Sequence, residues 1–263
     1  MSTPTGPRLL EFDDVRMAFG GNIVLDELTL GIGPGFTGLI GPNGAGKTTC
    51  LNLVSGYVRP TAGDVRFGGD SIVGSAPPVI AVRGISRTFQ TPRLVGGLSV
   101  LENVLLGGHR HHRRGHLAEL FGLGSARRDE ADLRERAHAL LERFALGDRA
   151  DNLASSFPIG SQKIIEVVRG LLNDPTLLLL DEPAAGLGAE DVEALVGGLD
   201  GYLSSGTTAV VIIEHDLTLI SRLCPRVAVL HFGRIIADGS PAAVLDDPVV
   251  VEAYLGAGFA ADR

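Results

Sequence analysis

The sequence predicts an α/β fold: a mostly parallel sheet covered by helices on both faces, with an N-terminal antiparallel β part and an inserted α-helical subdomain. Three observations carry this prediction. The aliphatic runs "TLLLL" before Asp181 and "AVVII" before Glu214 have the length and composition of strands buried on both faces. These runs alternate with stretches of helical apolar spacing, the pattern of strand–helix–strand crossovers. Residues 9–40 instead alternate apolar and polar positions between Gly and Pro, as short half-exposed strands do.

Taken in order, "FTGLIG" runs into "PNGAGKTTCLNLVSG", where apolar residues at 51, 53 and 54 and a stop at Gly56 predict a short helix from about Lys47 to Ser55. "GDVRFGGDSI" reads as a hairpin turning at Gly68-Gly69. From about Gln90 to Asn152 the composition shifts. "LSVLENVLL" and "DEADLRERAHALLERFAL" put Leu133, Ala137, Leu140, Leu141 and Phe144 at helical spacing. The pattern continues through "QKIIEVVRGLL", with Ile164, Ile165, Val168, Leu171 and Leu172 in one stripe. A helical lobe is therefore expected over about 91–172, inserted in a single domain that spans 1–263. A strand to Asp181, a helix near 189–204, a strand before His215, a helix near 217–223 and the strand "VAVLHFG" follow.

Composition limits the function. At 44% hydrophobic and 21% charged, the chain of 263 residues has the balance of a globular protein with a sizeable core. A net charge of −8 argues against nucleic acid as the main partner, because duplex binders carry a basic footprint. Two cysteines, Cys50 and Cys224, are too few for a disulfide framework or a thiolate metal cluster, which fits a reducing compartment. The first residues lack the pattern of a signal peptide, and no run approaches the ~18 apolar residues of a membrane span. The expectation is a soluble protein, or one attached to a membrane through a partner.

The chemistry begins at "GPNGAGKTT", which matches Gly-x-x-x-x-Gly-Lys-Thr between a strand and a helix. Gly41, Pro42, Asn43, Gly44, Ala45 and Gly46 form a turn whose backbone N–H groups curl round a β-phosphate, backed by a helix N-terminus. Lys47 reaches the β- and γ-phosphates, Thr48 offers its hydroxyl to Mg²⁺, and Thr49 completes the motif. In "LLLLDEP", Asp181 ends a buried strand and holds Mg²⁺ through water, while Glu182 polarises the attacking water. One carboxylate for metal and one for water suits hydrolysis rather than phosphoryl transfer; a plain acidic turn is the alternative. "VVIIEHD" ends another buried strand and aims His215 at the same pocket, against the alternative of a structural histidine.

With Gly41–Thr49, Gln90, "LLLLDEP" and His215 in this order and spacing, the chain resembles the ATP-binding-cassette (ABC) ATPases from Leu9 to Leu255. Within them, "SRTFQTPRL", the helical insertion, "DEPAAGL", "IIEHD" and the ending "DGSPAAVLDDPVVVEAYLG" look like the ATP-binding subunits of branched-chain amino-acid importers. Uptake systems for urea or short amides share these features, and lipopolysaccharide-export ATPases are more distantly similar. The resemblance implies a P-loop NTPase fold with a RecA-like core, ATP and Mg²⁺ as ligands, and two copies sandwiching two ATP. It implies transmembrane permease subunits as partners, indirectly a solute-binding protein, and a place at the cytoplasmic face of the membrane. It makes Phe19 an adenine-stacking ring, with a core aromatic as the alternative. It makes Gln90 a sensor of the γ-phosphate and Mg²⁺, and "TPRLVGGLSVLENV" the border of a groove for a permease helix. Two other readings stand beside it: an ABC-type ATPase with a scaffold role, and a weakly hydrolysing ATP-dependent switch.

The family's Leu-Ser-Gly-Gly-Gln signature has a departed counterpart in "SSFPIGSQK", residues 155–163. Two registers are possible, starting at Phe157 or at Pro158. Relatives in the branched-chain group read Leu-x-Tyr-Gly-Gln-Gln with the glycine 21 residues before the metal aspartate. Gly160 also lies 21 residues before Asp181, which selects Phe157-Pro158-Ile159-Gly160-Ser161 and puts Arg169 where those relatives carry arginine. Gly160 and Ser161 then open a helix aimed at the nucleotide, while Pro158 lacks the hydroxyl and an N–H. Gly188 stands where the family carries Asp or Asn. "HRHHRRGH", residues 109–116, reads as a solvated basic loop, and Cys50 as a buried structural thiol.

Overall fold

The computed structural model of the chain describes residues 8–110, 124–203 and 208–260. Two compact units divide the chain, Met1–Ile85 with Gly206–Arg263, and Ser86–Ser205. The chain begins in the first unit with β1 (Leu10–Phe19), β2 (Asn22–Ile32), β3 (Gly35–Ile40), α1 (Lys47–Val54), β4 (Ala62–Phe67), β5 (Asp70–Ser71) and α2 (Pro77–Val82). The second unit holds β6 (Ile85–Arg87), α3 (Val100–Leu105), α4 (Gly124–Arg143), α5 (Ile159–Leu172), β7 (Leu177–Asp181) and α6 (Ala189–Leu203). The chain returns to the first unit with β8 (Ala209–Ile213), α7 (Leu217–Leu223), β9 (Arg226–His231), β10 (Arg234–Gly239), α8 (Pro241–Leu245) and α9 (Pro248–Ala260).

In the first unit, β2-β1-β4-β5 form an antiparallel sheet. Leu10, Phe12, Val15 and Met17 are buried from β1 while the positions between them are more exposed, as a sheet with one covered face requires. The β4–β5 hairpin turns at Gly68 and Gly69, both with positive φ, the backbone that a two-residue turn of primed type needs. The other strands of this unit run in the order β10-β9-β3-β8. Here β3 is parallel to both β8 and β9, and β10 closes antiparallel on β9. Every residue of β8 is buried, so an unbroken aliphatic run is what the position demands. Because β3 and β8 are parallel and adjacent, the loop after Ile40 and the residues after Ile213 leave the same edge of the sheet. Cys50 and Cys224 are buried here, and burial pushes both thiols up to about 12, so neither carries appreciable thiolate at neutral pH.

In the second unit the apolar stripe of α4 buries Leu133, Ala137, Leu141 and Phe144. Phe144 packs so close to Gly198 of α6 that any side chain there would overlap the ring. Helix α5 buries Ile164, Ile165, Val167, Val168, Leu171 and Leu172, more than the one stripe its spacing predicts. Strand β7 is buried at all five positions. Strands β6 and β7 and helix α6 cluster with the helices in this unit. Residues 111–116 of the His/Arg-rich stretch lie outside the described residues.

Candidate functional site

In the first unit, Gly41 follows β3 with φ 146, and a Cβ there would stand 2.0 Å from the Leu230 carbonyl oxygen of β9. Glycine is required, and the loop begins pressed against the neighbouring strand. Its backbone also hydrogen-bonds the Tyr254 hydroxyl of α9. Ala45 is buried and accepts a hydrogen bond from Gly233 N–H at 3.1 Å, fixing the loop to the β9–β10 turn. Lys47 opens α1 at 7% exposure, and its Nζ donates to the carbonyls of Gly41 at 2.6 Å and Pro42 at 2.9 Å. Gly46 caps α1 with no side-chain acceptor, so the positive end of the helix faces its own glycine-rich loop. Thr48 is exposed and Thr49 half-buried, while Asn43 and Gly44 form the exposed crest. Phe19, at the end of β1, is 49% exposed; it is not a core aromatic, and its ring face is available for stacking. His215 is exposed just beyond β8, its backbone N–H donating to Glu214 Oε2 at 3.2 Å.

In the second unit, Asp181 ends β7 at 3% exposure. Its Oδ2 accepts from Arg87 Nη2 at 3.3 Å, and its backbone N–H donates to the Thr88 hydroxyl at 3.3 Å. Burial pushes the Asp181 carboxyl above its ordinary range, and the Arg87 guanidinium opposes the shift. Its Oδ1 is buried, and no group among the described residues hydrogen-bonds it. Glu182 turns the chain with φ 51, a left-handed conformation strained for a residue with a side chain. That turn is held from two sides: Lys163 Nζ donates to the Glu182 carbonyl at 2.8 Å, and Gln90 Nε2 donates to Glu182 Oε1 at 2.9 Å. Gln90 and Glu182 are thus brought together, although 92 residues separate them.

Helix α5 starts at Ile159, with Pro158 as its N-cap and no side-chain cap. Gly160 and Ser161 lie in its first turn. A Cβ on Gly160 would stand 2.4 Å from the Gly186 carbonyl oxygen, so the helix start fits directly against the turn after Glu182. Ser161 Oγ donates to Asp191 Oδ2 at 2.7 Å, which commits that hydroxyl inside the unit. Gly188 is exposed, with open space where a Cβ would go. Sequence reasoning passed over Arg87, Lys163, Glu166 and Asp191 as site residues. Arg87 stood in plain view three residues before Gln90, but nothing in its spacing said which carboxylate it meets.

The orphaned Asp181 Oδ1 is a hard oxygen of the kind Mg²⁺ takes. Among the described residues no group of three or more His, Cys, Asp or Glu could hold a metal alone.

Residues 25–185 match the model of the family described as ABC transporter. The chain belongs to the ABC transporter family. Residues 234–260 match a second model, described as branched-chain amino acid ATP-binding cassette transporter. The high-affinity branched-chain amino acid transport ATP-binding protein BraF of Pseudomonas aeruginosa is 36% identical over 249 residues, covering 94% of this chain and 98% of its own. LivG of Escherichia coli K12, of the same description, is 34% identical over 249 residues with the same coverage. Nod factor export ATP-binding protein I of Cupriavidus metallidurans is 34% identical over 250 residues, covering 94% of this chain and 77% of its own. A crystal structure of a nucleotide-free ATP-binding cassette from an ABC transporter superposes with TM-score 0.80 at 30% identity, covering 94% of this chain and 99% of that one. The ADP conformation of an ATP-binding cassette superposes with TM-score 0.79 at 29% identity, covering 95% and 100%.

The protein is therefore an ABC ATPase subunit with an α/β P-loop NTPase fold, homologous to the branched-chain amino acid transport ATP-binding proteins. Membership implies ATP binding, dimerisation and permease partners. No helix among the described residues is long and apolar enough to cross a membrane.

Proposed function

We propose that this ABC ATPase powers the import of branched-chain amino acids or related small polar solutes. The observation that carries the substrate class is the match over residues 234–260, because overall identity is similar for the Nod factor exporter and the branched-chain proteins. On this reading the protein sits at the cytoplasmic face of the membrane, bound to permease subunits, works with a solute-binding protein and never touches cargo. Two ATP are sandwiched between two copies of the chain or between it and a second ABC ATPase.

The proposed roles follow from chemistry. Lys47, now on the carbonyls of Gly41 and Pro42, exchanges them for β- and γ-phosphate oxygens, and the amides of residues 41–46 follow the phosphate. Phe19 stacks on adenine. Thr48, Asp181 and Gln90 hold Mg²⁺, which when bound supplies charge neutralisation at the phosphates. Gln90 now donates to Glu182 Oε1 and so occupies one of the oxygens that would face the attacking water. When Gln90 turns to the nucleotide, Glu182 is released to polarise the attacking water, with His215 beside the γ-phosphate. Gly160 and Ser161 present their helix start to the ATP of the other subunit.

The test is Glu182→Gln. Hydrolysis should fall by about 10²–10⁴-fold, and size-exclusion chromatography with saturating ATP-Mg²⁺ should give a stable dimer. A well-folded variant that stays monomeric there would refute the sandwich. Leucine-stimulated ATPase with the cognate permeases and binding protein in vesicles tests the substrate class.

A further inference from the structure

We propose that Glu166 and Arg169 are positioning residues for hydrolysis, holding the Gln90 loop to helix α5 so that a single helix sets both Gln90 and Glu182. The proposal rests on the ATPase reading above. Glu166 is 1% exposed, and its carboxylate accepts the backbone N–H of Phe89 through Oε2 at 3.0 Å and of Arg93 through Oε1 at 3.2 Å. One side chain therefore grips the loop on both sides of Gln90. Arg169, one turn further along α5, donates to Glu166 Oε1 at 3.0 Å and to the Arg93 carbonyl at 2.6 Å.

The same helix reaches the other half of the pair. Lys163, three residues before Glu166 and so its neighbour on the helix surface, donates to the Glu182 carbonyl at 2.8 Å. Gln90 then meets the Glu182 carboxylate at 2.9 Å, which closes a circuit from α5 through the loop to the acidic turn and back. The first turn of that helix carries Gly160 and Ser161, so a shift of the helix start moves Gln90 and Glu182 together. Packing does not explain Glu166. Burial pushes its carboxyl above the ordinary range, and an apolar residue of its size would fill the space without that penalty. The carboxylate is there for the two amides and the arginine.

The experiment is a cycle on the full-length protein: Glu166→Ala, Glu166→Gln, Gln90→Ala and the double variant Glu166→Ala/Gln90→Ala, read as steady-state ATP hydrolysis with Mg²⁺. Glu166→Ala should lower kcat about tenfold to a hundredfold, the range for losing hydrogen bonds to a charged group, with KM for ATP changed less than about twofold. Glu166→Gln keeps one accepting oxygen for the Arg93 amide and Arg169 but turns an NH₂ toward the Phe89 amide, so its kcat should fall between those of Glu166→Ala and the wild type. In the double variant the two losses should not multiply, because both act through Gln90. Fully multiplicative losses, or a KM that rises as kcat falls, overturn the proposal. If Glu166→Ala does not fold by circular dichroism, Arg169→Met, which keeps the packing, is carried through the same cycle. A folded wild type that neither binds nor hydrolyses ATP sinks the ATPase reading itself, whereas multiplicative losses in an active protein sink the positioning role alone.

Discussion

The glycine-rich loop of the first unit and the acidic turn of the second are held by opposite means. The loop is made of backbone. Gly41 lies against the Leu230 carbonyl, Ala45 is tied to Gly233, and its one charged side chain, Lys47, rests on carbonyls of the loop itself. The acidic turn is made of side chains. Arg87 holds Asp181, Gln90 and Lys163 hold Glu182, and Glu166 with Arg169 hold the Gln90 loop. A backbone cradle tolerates most substitutions and fails at its glycines and its lysine. A side-chain network fails in graded steps, and its members lose function together.

The largest effect is expected on the backbone side. Lys47→Ala removes the one ammonium the loop carries to the phosphates, and ATP affinity should fall about a hundredfold or more. Calorimetric titration with ATP-Mg²⁺ reads it, with circular dichroism as the check that the variant is folded. Affinity kept within about threefold would mean that the loop is not the ATP site. On the side-chain side, Gly160→Ala probes the contact between helix α5 and the turn after Glu182. Its Cβ would have to push back the Gly186 backbone, since 2.4 Å is far inside contact distance. A loss of about 1–3 kcal/mol is expected for such overpacking, read as a lower denaturant midpoint at unchanged slope. ATP binding at the Lys47 loop should change little, and that split would sharpen the contrast between the two regions.

The same contrast explains what could be read from the chain alone. The loop was legible because Gly41 to Thr48 form one local run of particular residues at fixed spacing between a strand and a helix. The buried strands were legible for the same local reason, down to the five covered positions of β7 and of β8. The short helices α2 and α8 were passed over, because "PPVIAV" and "PAAVL" are too short to show a period. The network around Glu166 was invisible, since its partners lie 73 and 77 residues away and no local pattern records such a pairing. Arg169 was matched to a family position without a role; its bonds to Glu166 and Arg93 supply one.

The smallest expected effect tests the departed signature at the seam of the comparison, where a backbone device meets the side-chain network. Pro158 occupies the N-cap of α5 with no side chain able to accept from the helix amides. Pro158→Ser should act twice. A serine cap satisfies an amide of the first turn, worth about 0.5–2 kcal/mol in helix stability, and should raise the melting temperature without nucleotide. If the helix start also meets a γ-phosphate in the dimer, the new hydroxyl adds one hydrogen bond to a charged group, tightening the ATP-bound dimer of the Glu182→Gln background by about tenfold or more. The two readouts separate the roles. A higher melting temperature with an unchanged dimer would make the hydroxyl a cap alone and leave the phosphate contact to the helix backbone, as at the loop in the first unit. A tighter dimer would show that the proline weakens the contact of the helix start with ATP, a loss on the side chain that leaves the helix backbone intact.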